Sequence, residues 1–318
     1  MGGELRFDVH TGEWVSIVGH RQARPNLPSH GCPFCVGGLE APNAYETAWF
    51  VNRWPAYEPG PPVELDEVLA SGARSATAVG SAEVILYSPQ HDGSLGSLGD
   101  QQVRKVIDIW AERTEALLAR PEVSYVLVFE SRGAEVGATL HHPHGQIYAF
   151  PFVPPSPRDE AEATRSHRRC LVCEELEREL HDARRVIYDD GNWVAWVPFA
   201  SPHCYGLRLA SRTHTVGLPQ LTNGERDSLA TALVDVLSRY DRMWPDDPNR
   251  SEIFPYLMWV HQAPAVVEDP NEWHVHFHFA PPQRSAGVHR YIAAGEVGSG
   301  TMSNPVIPED AAAVLRSV

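Results

Sequence analysis

His142-Pro143-His144-Gly145-Gln146 and His276-Phe277-His278 close two stretches of chain that carry the same features in the same order. The first stretch opens at Cys32-Pro33-Phe34-Cys35. It passes through strand-like runs at 49–54 and 84–87, His91, a helix, and a strand at 125–129. The second opens at Cys170-Leu171-Val172-Cys173. It passes through runs at 193–197 and 207–209, His214, a helix, and a run at 254–260. Counterparts lie 138 residues apart at the cysteines, 123 at His91 and His214, and 134 at His142 and His276. A constant order with loop-sized drift marks a duplicated unit with unequal insertions. It predicts an α+β fold of two tandem halves, 1–153 and 166–318, each an antiparallel sheet with a helix packed on it.

The helices are the clearest elements. Val103, Ile107, Trp110 and Leu117 recur at helical spacing, as do Leu229, Leu233, Val236 and Tyr240. Thr222 and Glu225 form a capping box that fixes the start of the second helix. The stretch from Pro151 to Arg169, with its prolines, charges and lack of periodicity, reads as the linker between halves.

Composition narrows the function. The 318 residues carry a formal charge of −15, which disfavours nucleic acid as a partner and requires any phosphate site to be local. No stretch approaches the length of a membrane helix and Met1 to His10 holds no apolar run, so a cytoplasmic protein is expected. Four of the five cysteines form C-x-x-C pairs, which in such a compartment point to metal or catalysis before disulfides.

In an extended segment residues i and i+2 face the same way, so His142 and His144 reach one site. The loop upstream supplies Arg132, Gly133, Gly137 and Thr139, and Gln146 follows. Glycines admit backbone amides to a phosphate, and the polar side chains add charge and hydrogen bonds. A neutral imidazole attacks phosphorus well and leaves again readily. Cys32, Cys35, His91 and His142 make a four-ligand zinc set. If His142 binds metal it cannot also attack phosphorus, which leaves His144 as the nucleophile. Cys170, Cys173, His214 and His276 are the equivalent set in the second half, where His274, His276 and His278 all fall on one strand face.

At these residues the chain resembles the galactose-1-phosphate uridylyltransferase family, which is built from two histidine-triad-like halves. The resemblance is nearly chain-long. It runs through Gly12-Glu13-Trp14, His20 to Pro25, Cys32 to Cys35, Tyr87 to His91, Phe129 to Ala134, His142 to Ile147, Phe254 to Tyr256, His261 to Pro264 and His276 to Pro282. It implies that His144 is the uridylylated residue, with Gln146, Ser131, Gly137 and Thr139 around the phosphate. Arg21 and Arg24 would lie near the nucleotide, Asn52 on the ribose, and Arg290 and Glu296 at the hexose. It also implies a homodimer and a ping-pong exchange of UMP between a UDP-hexose and a hexose 1-phosphate. A phosphorylase or hydrolase on the same scaffold, or a non-catalytic zinc-stabilised nucleotide-binding protein, is the alternative. Ser131 and Arg53 stand where the family carries asparagine and aspartate. Finally, the resemblance offers a different second metal site for Zn2+ or Fe, made of Glu160, His261, His276 and His278. The thiolate pair is the stronger zinc ligand, so the set with Cys170 and Cys173 is preferred.

Overall fold

The computed structural model describes residues 3–23, 31–250 and 252–318. In chain order the strands are β1 Glu4–Asp8, β2 Glu13–Ile17, β3 Ala48–Val51, β4 Ser75–Thr77, β5 Ser81–Leu86, β6 Tyr125–Arg132, β7 His144–Phe150, β8 Val186–Asp189, β9 Trp193–Trp196, β10 Leu207–Ser211, β11 Tyr256–His261, β12 His276–Ala280, β13 Gln283–Ser285 and β14 Val288–His289. The α-helices are α1 Leu65–Ala70, α2 Asp100–Leu118, α3 Pro155–His167, α4 Leu171–Asp182, α5 Asn223–Arg242, α6 Ala294–Ser299 and α7 Pro308–Arg316.

Nine strands form one antiparallel sheet in the order β3-β5-β7-β6-β11-β12-β10-β9-β8. The order explains the duplication. On either side of the β6–β11 junction, β7 answers β12, β5 answers β10 and β3 answers β9. The halves therefore share a single sheet, sealed by Tyr256 to Val260 pairing with Arg132 to Val128.

Strand periodicity divides the sheet into two faces. Ile85, Val126, Val128, Ile147, Met258, Val260, Phe277, Phe279, Leu207 and Leu209 point one way. They merge with Val103, Ile107 and Trp110 of α2 and Leu229, Leu233 and Val236 of α5 in one continuous core. Polar ties also join the two helices: Arg104 meets Asp227 and Arg226 meets Asp108. On the other face a single register row crosses the nine strands: Phe50, Val84, Gln146, Phe129, Trp259, His278, Arg208, Trp196 and Val186. One step along the strands come His144 at one end and His261 and His276 at the other. The alternation His276-Phe277-His278-Phe279 thus sends phenylalanines to the core and histidines to the opposite face.

Two sequence expectations about this scaffold fare differently. The capping box stands: Thr222 Oγ1 accepts from Glu225 N at 3.3 Å, and Glu225 Oε2 accepts from Thr222 N at 2.8 Å. The stretch at 151–169 is not a plain linker, because it contains α3. Prolines at 155 and 157 sit in the first turn, where a helix tolerates them. Its buried stripe is only Pro157, Ala161 and Thr164, too small and too mixed to register as apolar periodicity. Among the described residues no helix is long and apolar enough to cross a membrane.

Two substitutions test the scaffold. Thr222→Ala should lower the free energy of unfolding by about 1 kcal/mol. Trp110→Ala, fully buried between α2 and the sheet, should lower it by about 3–5 kcal/mol. Urea unfolding reads both, and a Trp110 cost below that of Thr222 would contradict a single cooperative core.

Candidate active site and metal centres

The strand β7 starts at His144, and the two residues before it leave the sheet and turn back over Ser88. His142 is thereby buried, with Nδ1 facing Cys32 and Cys35, 3.7 Å from each sulfur. His91 Nδ1 lies 3.4 Å from Cys35 Sγ. Ligands at about 2.0–2.3 Å from a tetrahedral zinc are separated by roughly 3.3–3.8 Å, so these distances fit that ion. The other nitrogen, His142 Nε2, donates to Ser88 O at 2.8 Å, which leaves the Nδ1 lone pair for metal. Burial lowers the His142 pKa and so favours the same neutral ring.

This anchored residue also orients its neighbour. His144 Nδ1 donates to the His142 carbonyl at 2.8 Å. With Nδ1 protonated, the ring's lone pair is on Nε2. The ring lies edge-on to Phe34, with centroids 5.1 Å apart, and borders a cleft of about 220 Å³. Phe34, Leu39, Phe50, Trp54 and Val84 make the apolar wall of the cleft, and Asn52, Thr139 and Gln146 its polar edge. Asn52 Oδ1 accepts from Trp54 N at 2.9 Å, which fixes the amide. Arg53 and Glu40 pair at 3.1 Å at the same cleft. Ser131 and Gly133 line a smaller recess behind His144, and Gly137 turns that loop with a φ of 84°.

Other expected residues lie elsewhere. Arg21 donates from Nε to Trp54 O and from a terminal nitrogen to Tyr148 Oη, both at 2.9 Å; it braces Trp54 and does not line the cleft. Arg24 falls outside the described residues. Arg290 and Glu296 pair with each other. Arg290 also donates to Ser303 O, and Glu296 accepts from Ala293 N and Ser303 N. Neither side chain borders the His144 cleft within this chain.

The second half requires a correction. The thiolate cluster is Cys170, Cys173, His214 and His274, not His276. His274 Nδ1 lies 3.3 Å from Cys173 Sγ and 3.9 Å from Cys170 Sγ, and His214 Nδ1 lies 3.4 Å from Cys173 Sγ. The counterpart of His142 is therefore His274, and that of His144 is His276. A two-residue slip leaves every side chain on its own face, so face alternation alone cannot detect it. His276 repeats the local geometry of His144, donating from Nδ1 to the His274 carbonyl at 2.8 Å.

With His276 released, the two second-half sets stop competing. Glu160, His261, His276 and His278 form a separate cluster that shares no ligand with the thiolates. Glu160 Oε2 is 2.8 Å from His261 Nδ1 and 3.5 Å from His276 Nε2, and Oε1 is 3.9 Å from His278 Nε2. Burial works to raise the Glu160 pKa, but hydrogen bonds from His261 and His276 outweigh it and hold the carboxylate ionised. Burial, then the charges of His276 and His261, depress His278. One carboxylate and neutral imidazoles suit Fe(II) or zinc.

Sequence reasoning missed a buried polar group beside His144. Tyr256 Oη donates to Glu130 Oε1 at 2.8 Å. Tyr87 Oη is pressed against Gly145, so that a Cβ there would fall 2.0 Å from it. This is why glycine follows His144. Glu130 adjoins the loop through Ser131 and Gly133, but its burial has no sequence signal.

Comparison with known proteins fits this arrangement. Residues 3–154 match the model of the galactose-1-phosphate uridyl transferase N-terminal domain, and residues 159–318 that of the C-terminal domain. The chain is 37% identical over 320 residues to a galactose-1-phosphate uridylyltransferase of Thermotoga maritima, covering 98% of each. It is 30% identical to the enzyme so named in Rattus norvegicus, covering 98% of this chain and 86% of that one. A solved uridylyltransferase structure superimposes with a TM-score of 0.84 at 30% identity, covering 99% of this chain and 98% of the other.

The buried carboxyl yields a pH prediction. Burial raises the Glu130 pKa from 4.5 to about 7, against the Tyr256 hydrogen bond and the Arg132 charge. The folded state then holds a proton that the unfolded chain gives up. The associated stability is complete below pH 4.5 and is lost as pH rises through 7, on the order of 3 kcal/mol in all. Glu130→Gln should flatten this decline. Parallel stability–pH curves for the two proteins would contradict it.

Proposed function

The chain belongs to the galactose-1-phosphate uridylyltransferase family, and we propose that it exchanges UMP between a UDP-hexose and a hexose 1-phosphate, with galactose 1-phosphate and UDP-glucose as the pair. The observation that carries the reading is the hydrogen bond from His144 Nδ1 to the His142 carbonyl. It presents Nε2 as a neutral nucleophile at the edge of a cleft with apolar walls for a base and polar groups for ribose and phosphate.

In the proposed reaction Nε2 attacks the α-phosphorus of the UDP-hexose. An N–P bond forms, the bond to the β-phosphate oxygen breaks, and hexose 1-phosphate departs with that electron pair. A second hexose 1-phosphate then attacks the uridylyl-His144, and the imidazole leaves neutral. The first half exchanges a phosphoanhydride oxygen for imidazole nitrogen and the second half reverses that exchange, so the chain needs only to position groups and offset phosphoryl charge. Gln146 and Thr139 at the cleft, and the loop through Ser131 and Gly137, are assigned to that task. Water is poorly served, because among the described residues no carboxylate borders His144 on the cleft apart from Glu40, which is paired with Arg53.

We assign a metal ion to each of the three clusters, zinc to the two thiolate sets and Zn2+ or Fe to the Glu160 set. Bound zinc at Cys32, Cys35, His91 and His142 supplies rigidity to the loop that bears the His142 carbonyl. We also propose a homodimer in which the arm at 284–303 meets a second copy. Exposed Tyr291, Ile292 and Val297 on that arm support it. That none of the five cysteines is paired in a disulfide supports a cytoplasmic setting.

Labelled UDP-glucose alone should release one glucose 1-phosphate per active site and leave label on the protein. His144→Ala should abolish the adduct and slow exchange by on the order of 10³-fold or more while retaining its metal. Steady UMP release without acceptor would indicate a hydrolase, phosphate-dependent release of UDP a phosphorylase, and an adduct on the alanine variant would remove His144 from the role. Elemental analysis should find three metal ions per chain.

A further inference from the structure

The thiolate cluster and the Glu160 cluster of the second half are joined three times over. First, His274 and His276 share one short piece of backbone: His274 Nδ1 faces the sulfurs, while its carbonyl accepts the proton of His276 Nδ1 at 2.8 Å. Second, Glu160 lies on α3, which runs through a tight turn at Arg168 into Cys170, the N-cap of α4. Glu174 fastens that turn by pairing with His167 at 2.7 Å and Arg169 at 2.9 Å. Third, Ala161 of α3 packs with Trp273, the residue before His274. The two clusters open onto one cavity of about 160 Å³, bordered by Glu160, Cys170, Arg208, His261, His274 and His276.

The clusters differ in how they are assembled. The thiolate set has two ligands three residues apart on the first turn of a helix, and thiolates that bind zinc tightly. The Glu160 set draws on α3, β11 and β12, and two of its four ligands, Glu160 and His276, are held in place by the elements that the thiolate set pins. Its remaining ligands, His261 and His278, sit on the paired strands β11 and β12.

Resting on the metal assignments above, we propose that the Cys170–Cys173–His214–His274 centre conditions the Glu160–His261–His276–His278 centre: filling the first fixes Glu160 and His276 for the second. Coupling between two binding sites is reciprocal in free energy. Occupancy is not, because the tighter thiolate centre stays saturated after losing the same factor. Emptying the thiolate centre therefore empties its neighbour, whereas emptying the neighbour leaves the thiolate centre full. The first half has the same arrangement with a different passenger: there the backbone carbonyl of His142, a member of the cysteine cluster, accepts from His144.

The test counts metals and measures their affinity, independent of turnover. Purified wild type and the variants Cys170→Ser, His214→Ala and His278→Ala are analysed for metal content. They are then titrated with Co2+ after chelation, cobalt–thiolate charge-transfer bands separating the two kinds of centre. Loss of groups that orient metal ligands costs about 10–100-fold in affinity. Cys170→Ser and His214→Ala should therefore weaken the Glu160 centre by that factor, and His278→Ala should leave both thiolate centres loaded. His214→Cys, which restores a fourth ligand, should recover the Glu160 centre. Retained metal at Cys32 and Cys35 reports that the variants are folded. A mutation-free arm covers their collapse: a mercurial that displaces thiolate zinc from wild type should release the third metal in the same phase. Three metals in wild type, with Glu160-centre affinity in Cys170→Ser and His214→Ala within about twofold of it, overturns the coupling alone; retention of the third metal through mercurial treatment does the same. Only two metals in wild type overturns the third assignment and the coupling with it.

Discussion

The antiparallel pairing of β6 with β11 is the constraint from which the rest of the architecture follows. It makes one sheet out of two copies of a unit and places α2 and α5 side by side on one face of that sheet. Strand alternation then leaves the opposite face to carry Gln146, Trp259, His278 and Arg208 in a single row. His144 and the second-half histidine cluster are members of one surface, ordered by backbone hydrogen bonds whose register every strand shares. The apolar side of each strand pins that register, because a slip of one residue would bury histidines against α2 and α5.

Much of this was legible from residue order. The repeated C-x-x-C, histidine, helix and H-x-H pattern disclosed the duplication. Asn52, Thr139 and Gln146, which the family resemblance assigns to the nucleotide, border the His144 cleft. The first-half set expected from sequence, Cys32, Cys35, His91 and His142, is brought together as a cluster. In the second half three histidines alternate, His274 just before β12 and His276 and His278 on it, and spacing admits two registers. Only the direction of each ring resolves them: His274 Nδ1 faces sulfur, and His276 Nε2 faces Glu160.

Other features were illegible for physical reasons. The helix α3 buries alanine, threonine and proline, which carry too little apolar area to produce a periodic signal. Glu130 and Tyr256 approach each other across 126 positions of sequence, and nothing local to either marks a buried pair. Arg21, Arg290 and Glu296 are charged residues in motif-bearing stretches, but within this chain their groups are spent on Trp54, on Tyr148 and on each other. Residue type identifies what a side chain can bind; which partner it meets is set by packing.

The orientation of His144 depends on a main-chain oxygen. In many enzymes the group that fixes a histidine tautomer is a carboxylate side chain, which a single base change can delete. Here residue 142 offers the same acceptor whatever its side chain, so the contact has no mutable atom of its own. Its vulnerability is conformational: anything that lets the loop over Ser88 drift removes the acceptor without altering either partner. Inherited damage to such a site would then trace to residues that hold the loop, including Tyr45, whose hydroxyl meets Phe34 O and Ser88 O at 2.7 and 3.0 Å, more often than to the acceptor itself.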